Sequence, residues 1–145
     1  MKKKVAVVGY GFISGKGHIP AYAQRSDVEV VAVADICPER LELAGAALPK
    51  ARLYTTYREL LEKEKDLDIV DVSTPPCDHA EISVAALEKG CHVLCEKPLA
   101  TSTEEARRML AAAAKSKRVL FPCHNYKHAP VVKVIQEAIS SGRIG

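Results

Sequence analysis

No stretch of the chain is apolar for long enough to cross a bilayer, which takes a helix of roughly 20 apolar residues. The apolar run near the N-terminus is broken by Gly9 and Gly11, so it does not read as the core of a secretory signal. Charge of one sign is scarce too. The net charge is +3, and outside "MKKK" and "KSKR" the basic residues alternate with acids. Both runs read as solvated ends of elements, so no nucleic-acid partner is expected. Tryptophan is absent and aromatic residues make up 5%, which leaves an ordinary soluble composition with nothing unusual to explain. Linkers, repeats and low-complexity tracts are missing as well, and residues 1–145 read as one domain. Cysteines number five, an odd count, and most lie in or beside apolar runs. That excludes a disulfide framework and points to reduced thiols in a cytoplasmic protein.

What is present is a short-period alternation of strands and helices. Val5 to Val8 reads as a strand, and Phe12 to Arg25 as a helix. "VEVVAVA" (28–34) is a second strand, followed by a helix that Pro38 opens and that runs to about Leu48. A short strand spans Arg52 to Tyr54. Thr56 with Glu59 then forms a capping box for the next helix. "LDIVDVS" (67–73) is a strand that the double proline ends. Asp78 with Glu81 is expected to cap the helix after it, and Gly90 to close that helix. "CHVLCE" (91–96) is a strand, and Thr101 or Ser102 caps a helix reaching Lys117. "VLFP" (119–122) and a helix over 129–141 complete the pattern. Six strands alternating with six helices imply an α/β fold: a doubly wound parallel sheet with helices on both faces.

"GYGFIS" sits where the first strand hands over to the first helix. In a dinucleotide-binding fold the first glycine makes the tight turn and the second lets backbone approach the pyrophosphate. The amides of the helix N-terminus then face the phosphates. Gly9, Tyr10, Gly11, Phe12, Ile13 and Ser14 are therefore candidate cofactor contacts. The third glycine of that pattern is missing here, and either Ser14 or Gly15 takes its place. Asp35 ends the second strand, where a carboxylate accepts hydrogen bonds from ribose hydroxyls and repels a 2′-phosphate. NAD is therefore expected over NADP. Arg40, in the next helix, softens that preference. A plainer role for Asp35 is to cap the helix beginning at Pro38. A methyltransferase would also pair a glycine loop with such an acid, but its first strand usually carries an acidic residue that "VAVVG" lacks. Cys91, Cys95, Cys123 and His124 do not have the spacing of a zinc site, and no metal is expected.

Several stretches together carry a specific likeness: "VAVVGYGFIS…H", "VAVADICPER", "DIVDVSTPP…H", "ALEKGCHVLCEKPLA" and "SGRIG". In order and spacing they resemble the nucleotide-binding half of the glucose–fructose oxidoreductase / inositol dehydrogenase / MocA family, over essentially the whole chain. The resemblance implies a Rossmann domain that is followed, in the family, by an α+β substrate domain. It also implies NAD(P)-dependent oxidation or reduction of a sugar, cyclitol or related hydroxyl or carbonyl. Lys97 of "EKP" would be the catalytic lysine, with Pro98 following a cis peptide and Glu96 beside the cofactor. An ammonium there would stabilise a developing alkoxide and relay a proton. Ser73, Thr74 and Pro75 would line the cofactor, with His79 at the start of the next helix. Asn125 and Tyr126 would lie near the nicotinamide or substrate. His18 matches the histidine after the glycine loop, one residue later than the commonest spacing.

The likeness stops where this sequence stops, so the substrate domain is expected to be absent and the chain to bind NAD(H) without turning over sugar. An apolar patch left by that domain would favour self-association into a homo-oligomer. Two classes remain open: the nucleotide half of an oxidoreductase, or a non-catalytic NAD-binding module or sensor. A module that only senses NAD has no need of Lys97.

Overall fold

A strand that is buried on both faces can afford no polar side chain, and residues 5–8 of β1 (Lys3–Val8) are Val, Ala, Val and Val, each at most 4% exposed. The computed structural model describes residues 2–144; Met1 and Gly145, the outer ends of "MKKK" and "SGRIG", lie outside the described residues. β1 pairs with β2 (Val28–Ala34) on one side and β4 (Ile69–Val72) on the other. β3 (Arg52–Tyr54), β5 (His92–Cys95) and β6 (Leu120–Pro122) complete a parallel sheet in the order β3-β2-β1-β4-β5-β6. The order reverses between β1 and β4, so the loops at the carboxyl ends of these strands diverge and open a crevice.

The side-chain period of two sends alternate strand residues to two cores. Ala6, Val8, Val70 and Val72 face α3 (Tyr57–Lys63), α4 (Pro76–Glu88) and α5 (Thr103–Ser116), meeting Leu60, Leu87 and Met109. Val5, Val7 and Val33 face α1 (Ile19–Ala23) and α2 (Pro38–Ala47), meeting Ile19 and Ala44. Asp71, between Val70 and Val72, necessarily turns toward the α1 side.

Most caps read from the sequence form, with two differences. Thr56 Oγ1 accepts from the Glu59 amide at 3.2 Å, and Ser102, rather than Thr101, caps α5. Gly90 closes α4 at φ +91°. Asp78 and Glu81, however, do not cap α4. Pro76 begins that helix, its fixed φ already suited to a first turn, and Pro75 precedes it with no side-chain cap. Glu81 is instead drawn to Arg58 and Tyr57 of α3. The first helix covers residues 12–23, two residues short of the expected Arg25, and it contains a π-turn at Ser14–His18.

A short 3₁₀ turn (Asn125–His128) leads to α6 (Pro130–Ser140), which buries none of its residues. Val131, Val134, Ile135 and Ile139 are all exposed on it. Among the described residues, no helix is long and apolar enough to cross a membrane. With no buried face, α6 should open independently of the sheet. Hydrogen exchange should show its amides exchanging faster than those of α4 and α5. Equal protection of all three would mean that α6 shares the cooperative core.

Candidate functional site

Gly9 is where the chain turns from β1 into the first helix, at φ +92°. A Cβ there would stand 2.6 Å from the carbonyl oxygen of Ser73 and 2.9 Å from the amide of Thr74. Glycine is required twice over, by the backbone conformation and by the loop of β4 pressed against it. Gly11 differs: a Cβ on it would meet nothing within 4 Å, so its bare side faces open space. Ser14 is fully buried, its hydroxyl donating to the carbonyls of Gly9 at 2.8 Å and Gly11 at 3.2 Å. It therefore takes the closely packed place of the missing third glycine, where Gly15 would tolerate a Cβ at ordinary distance from the Tyr10 ring. Gly15 makes the first helical bond, to Gly11 O at 3.0 Å, and helix geometry leaves the amides just before it without a partner in the helix. Tyr10 packs its ring on the α1-side core, while Phe12 and Ile13 point outward.

Asp35 is 6% exposed and holds this loop in place. One carboxylate oxygen accepts from the Tyr10 amide at 2.7 Å, and the other from the Cys37 amide at 2.9 Å. It therefore caps the entry to α2 and anchors the glycine turn at once. Each oxygen keeps a lone pair for a further donor. Arg40 lies 3.9 Å away. Beside Asp35 opens a crevice of about 490 Å³, bringing together Gly9, Asp35, Arg40, Ser73, Thr74 and Pro75. Its far wall holds residues that the sequence reading passed over: Ile36, Tyr57, Arg58 and Glu81. Tyr57 donates to Glu81 at 2.6 Å, and its hydroxyl is pushed up to about 12 by burial, with Glu81 adding to the shift. Arg58 pairs with the same carboxylate. Nothing local in the sequence announces these contacts, because α3 and α4 meet only once the sheet has formed. Thr74 Oγ1 is buried in this region without a hydrogen-bond partner.

The "EKP" loop leaves β5 on the same edge. Lys97 is exposed, and a cis peptide joins it to Pro98. Glu96 turns inward instead of toward a cofactor: one oxygen accepts from the Lys97 amide at 2.9 Å, and the other lies 3.2 Å from His18 Nε2. His18 Nδ1 is 2.8 Å from Asp71, a carboxylate with no exposure at all. Tyr22 and Ser73 donate to the same Asp71, each at 2.8 Å. The Ser73 hydroxyl thus gives its proton to this network, while the residue itself lines the crevice. His79 stands in the first turns of α4 with its ring satisfied inside the protein. It is fully buried, its two ring nitrogens set against Pro98 O at 2.8 Å and Thr74 O at 2.9 Å, so it bridges two loops and has no free ring atom for a ligand. Asn125 is exposed, its side-chain oxygen accepting from the Tyr126 amide at 3.1 Å, apart from the crevice lining.

The late position of His18 has a local cause. Ile19 N–H bonds to Ser14 O, five residues back, and this π-turn absorbs one extra residue. His18 reaches Asp71 and Glu96 because of it. The hydrogen bond that the imidazole donates to Asp71 is the main reason that it is held above its ordinary 6.5; burial opposes this, and the two carboxylate charges and the hydrogen bond to Glu96 add to it. Burial pushes Tyr22 up, as does Asp71, and pushes the Cys123 thiol up to about 12. The cysteines weighed as a zinc set do not form a cluster of three or more donors among the described residues: Cys91 is buried just before β5, Cys95 is buried at its end, and all five thiols are free. The donor atoms that do converge, within 4.8 Å, belong to His18, Glu96 and Cys123, with His18 already engaged by Glu96. Asp71 carried a readable signal that went unused: a charged residue in the middle of an apolar strand.

Residues 3–124 match the family model described as an oxidoreductase family with an NAD-binding Rossmann fold. The chain is 36% identical over 145 residues to D-glucoside 3-dehydrogenase of Escherichia coli (strain K12), covering 98% of this chain and 40% of that protein. It is 36% identical over 151 residues to inositol 2-dehydrogenase of Salmonella typhimurium (strain LT2), covering 100% and 44%. Among solved structures, the WlbA dehydrogenase from Bordetella pertussis, in complex with NADH and UDP-GlcNAcA, aligns with a TM-score of 0.92 at 32% identity, over 100% of this chain and 44% of that one. The 3-ketoreductase KijD10 from Actinomadura kijaniata, in complex with NADP and TDP-benzene, gives 0.87 at 30% identity, with coverage of 100% and 44%. The chain spans less than half the length of each of these relatives.

The two loop glycines should separate folding from binding. Gly9→Ala should cost about 3 kcal/mol or more in denaturant unfolding, through its positive φ and the clash with Ser73. Gly11→Ala should leave stability within about 1 kcal/mol, because only open space meets the new methyl, yet weaken any anion bound there. Similar losses at both positions would contradict this division. For His18, the raised value means that its stabilisation is complete below pH 6.5 and is lost as pH rises through the folded-state value. Thermal melts should therefore fall across that window in the parent protein and fall less in His18→Gln. Parallel curves would show that the imidazole carries no linked proton.

Proposed function

Because the chain belongs to this oxidoreductase family with its NAD-binding Rossmann fold, we propose that it is the dinucleotide-binding part of a dehydrogenase or reductase acting on a sugar, cyclitol or related hydroxyl or carbonyl. NAD(H) is the preferred cofactor and NADP(H) the weaker one. The observation that carries this reading is the crevice at the strand-order reversal, which runs from the glycine turn to the Asp35 carboxylate. Two features suit such a ligand: the unpartnered Thr74 Oγ1 in the crevice wall, and the open side of Gly11 in the turn that follows Gly9.

The amides after Gly11 would hold the pyrophosphate, and the spare lone pairs of Asp35 would accept the adenosine ribose hydroxyls. Ile36, 88% exposed beside them, offers an apolar wall to a base. When bound, the nicotinamide supplies a site that accepts or donates hydride. Lys97, exposed on the same edge, would be the catalytic lysine: its ammonium donates a hydrogen bond to the substrate oxygen and stabilises the charge developing there. A binding module that never meets substrate would need no such group, which favours the enzyme reading. The acid–base partner and the substrate cavity would lie outside these 145 residues, so this chain should bind nucleotide without turnover. The free thiols support a cytoplasmic setting, and the apolar face of α6 supports self-association, which sedimentation at high concentration would reject by finding only monomer.

Calorimetry with NADH and NADPH tests the core of this reading. NADH should bind the parent chain and NADPH more weakly. Asp35→Ala should lower NADH affinity by about tenfold or more, roughly 1.4 kcal/mol, with part of the loss arising from the freed glycine loop. Failure of either nucleotide to bind would remove the cofactor assignment, and tighter binding of NADPH would reverse the role given to Asp35. Oxidation of a sugar or cyclitol by the purified chain with NAD⁺ would contradict the expected lack of turnover.

A further inference from the structure

Asp71 is wholly buried and Glu96 is 8% exposed, and both lie just under the carboxyl edge of the sheet. Two carboxylates taken out of water at one place need a cation between them. Lys97 does not supply it: its backbone amide binds Glu96, while its side chain is exposed. The remaining groups facing this cluster come from four elements. Tyr22 of α1 and Ser73 after β4 are neutral donors to Asp71, Tyr22 kept protonated by burial and by Asp71. Cys123 after β6 and Cys95 of β5 are thiols that burial pushes up to about 12 and about 11, so both stay neutral. That leaves His18. Its two ring nitrogens face the two carboxylates, at 2.8 Å from Asp71 and 3.2 Å from Glu96, an arrangement that satisfies both only when each nitrogen carries a proton.

The chain of contacts then runs outward without a gap. Asp71 holds His18, His18 holds one oxygen of Glu96, and the other oxygen of Glu96 holds the backbone amide of Lys97. We propose that His18 is a positioning residue: as an imidazolium clamped between Asp71 and Glu96, it fixes the backbone of Lys97 in the loop after β5, on the carboxyl edge of the sheet. This rests on the reading of Lys97 as the group that meets substrate. The π-turn at Ser14–His18 belongs to the device, since it brings the histidine to the cluster while Ser14 stays packed under the glycine turn. Loss of the proton leaves the two carboxylates facing each other without a counter-charge. The loop carrying Lys97 then loosens as pH rises, while the glycine turn, held separately by Asp35, does not.

Heteronuclear NMR on the chain tests this without any ligand. The His18 imidazole should titrate above its ordinary value, and the Lys97 amide shift should follow with the same midpoint. His79 also touches this loop, through Pro98 O, and His18→Gln tells the two histidines apart, because only a Lys97 transition that depends on His18 disappears in it. Glu96→Gln should leave His18 titrating against Asp71 but uncouple Lys97 from it, and this variant carries the test if His18→Gln does not fold. A Lys97 amide that is flat across the His18 titration, or that still titrates in a folded His18→Gln protein, would overturn the proposal. Nucleotide binding adds an independent arm. NADH affinity should drop several-fold above the His18 midpoint, whereas ADP-ribose, which lacks the nicotinamide, should bind equally on both sides of it. An equal pH response for the two ligands would also count against a device confined to the Lys97 end. If neither ligand binds, the cofactor reading falls and the NMR coupling alone decides the positioning role.

Discussion

The absence of one methyl group at Gly9 sets the geometry of the whole carboxyl edge. Because nothing projects from that residue, the loop after β4 closes onto the turn after β1, near enough that a Cβ would sit 2.6 Å from a carbonyl oxygen. Ser73 donates its amide back to Val8 at 2.8 Å, and Gly9 donates to Ala34 at 2.8 Å, so three strand ends are tied at one point. The crevice is what remains beyond that knot, between the diverging loops. Its polar walls are then a matter of which side chains the three strands deliver there: Asp35 from β2, and Thr74 and Pro75 from β4.

Beneath the knot the same three-strand geometry creates a problem and answers it. β4 and β5 bring Asp71 and Glu96 into the interior, and a protein of this size cannot leave such charges unpaired. Tyr22, Ser73 and His18 converge on Asp71 from α1 and from β4 itself. Ser73 serves the knot through its backbone and the network through its hydroxyl, while Asp35 holds the glycine turn separately. The exposed lysine therefore stands on a rigid, fully hydrogen-bonded base rather than on a free loop.

The architecture was legible because it follows from apolar runs and punctuation. "VAVV" reads as a strand buried on both faces, and it is; "VEVVAVA" and "DIVDVS" read as strands, the first of them buried only over its second half, and the alternation of six strands with helices implies the parallel sheet that forms. The glycine turn and Asp35 were legible because their chemistry is local to one strand–turn–helix unit. What stayed hidden depends on distance in sequence or on a break of periodicity. A π-turn has no compositional mark, so the residue offset at His18 could be seen but not resolved. Asp78 and Glu81 satisfied a capping pattern that Pro76 pre-empted, and Glu81 found its partners in α3. His79, Ser73 and Glu96 were placed near the right loops, but their side chains are used to join those loops to each other.

The choice between the two nicotinamide cofactors is likewise made by local charge rather than by fold. A dehydrogenase in complex with NADH and a ketoreductase in complex with NADP align on this chain with TM-scores of 0.92 and 0.87, so one backbone plan recurs in proteins solved with either cofactor. In this chain the deciding group is Asp35, and it cannot swing aside to admit a 2′-phosphate. Both of its oxygens are held by backbone amides, at 2.7 and 2.9 Å, and releasing them would free the glycine turn that the pyrophosphate needs. Arg40 lies 3.9 Å from Asp35 with its side chain 53% exposed, where water and salt weaken its reach. A fixed, buried negative charge facing a mobile, screened positive one leaves the field at this spot negative. The same two hydrogen bonds that shape the loop would thus also hold a charge against a 2′-phosphate, in keeping with the proposed preference for NAD(H).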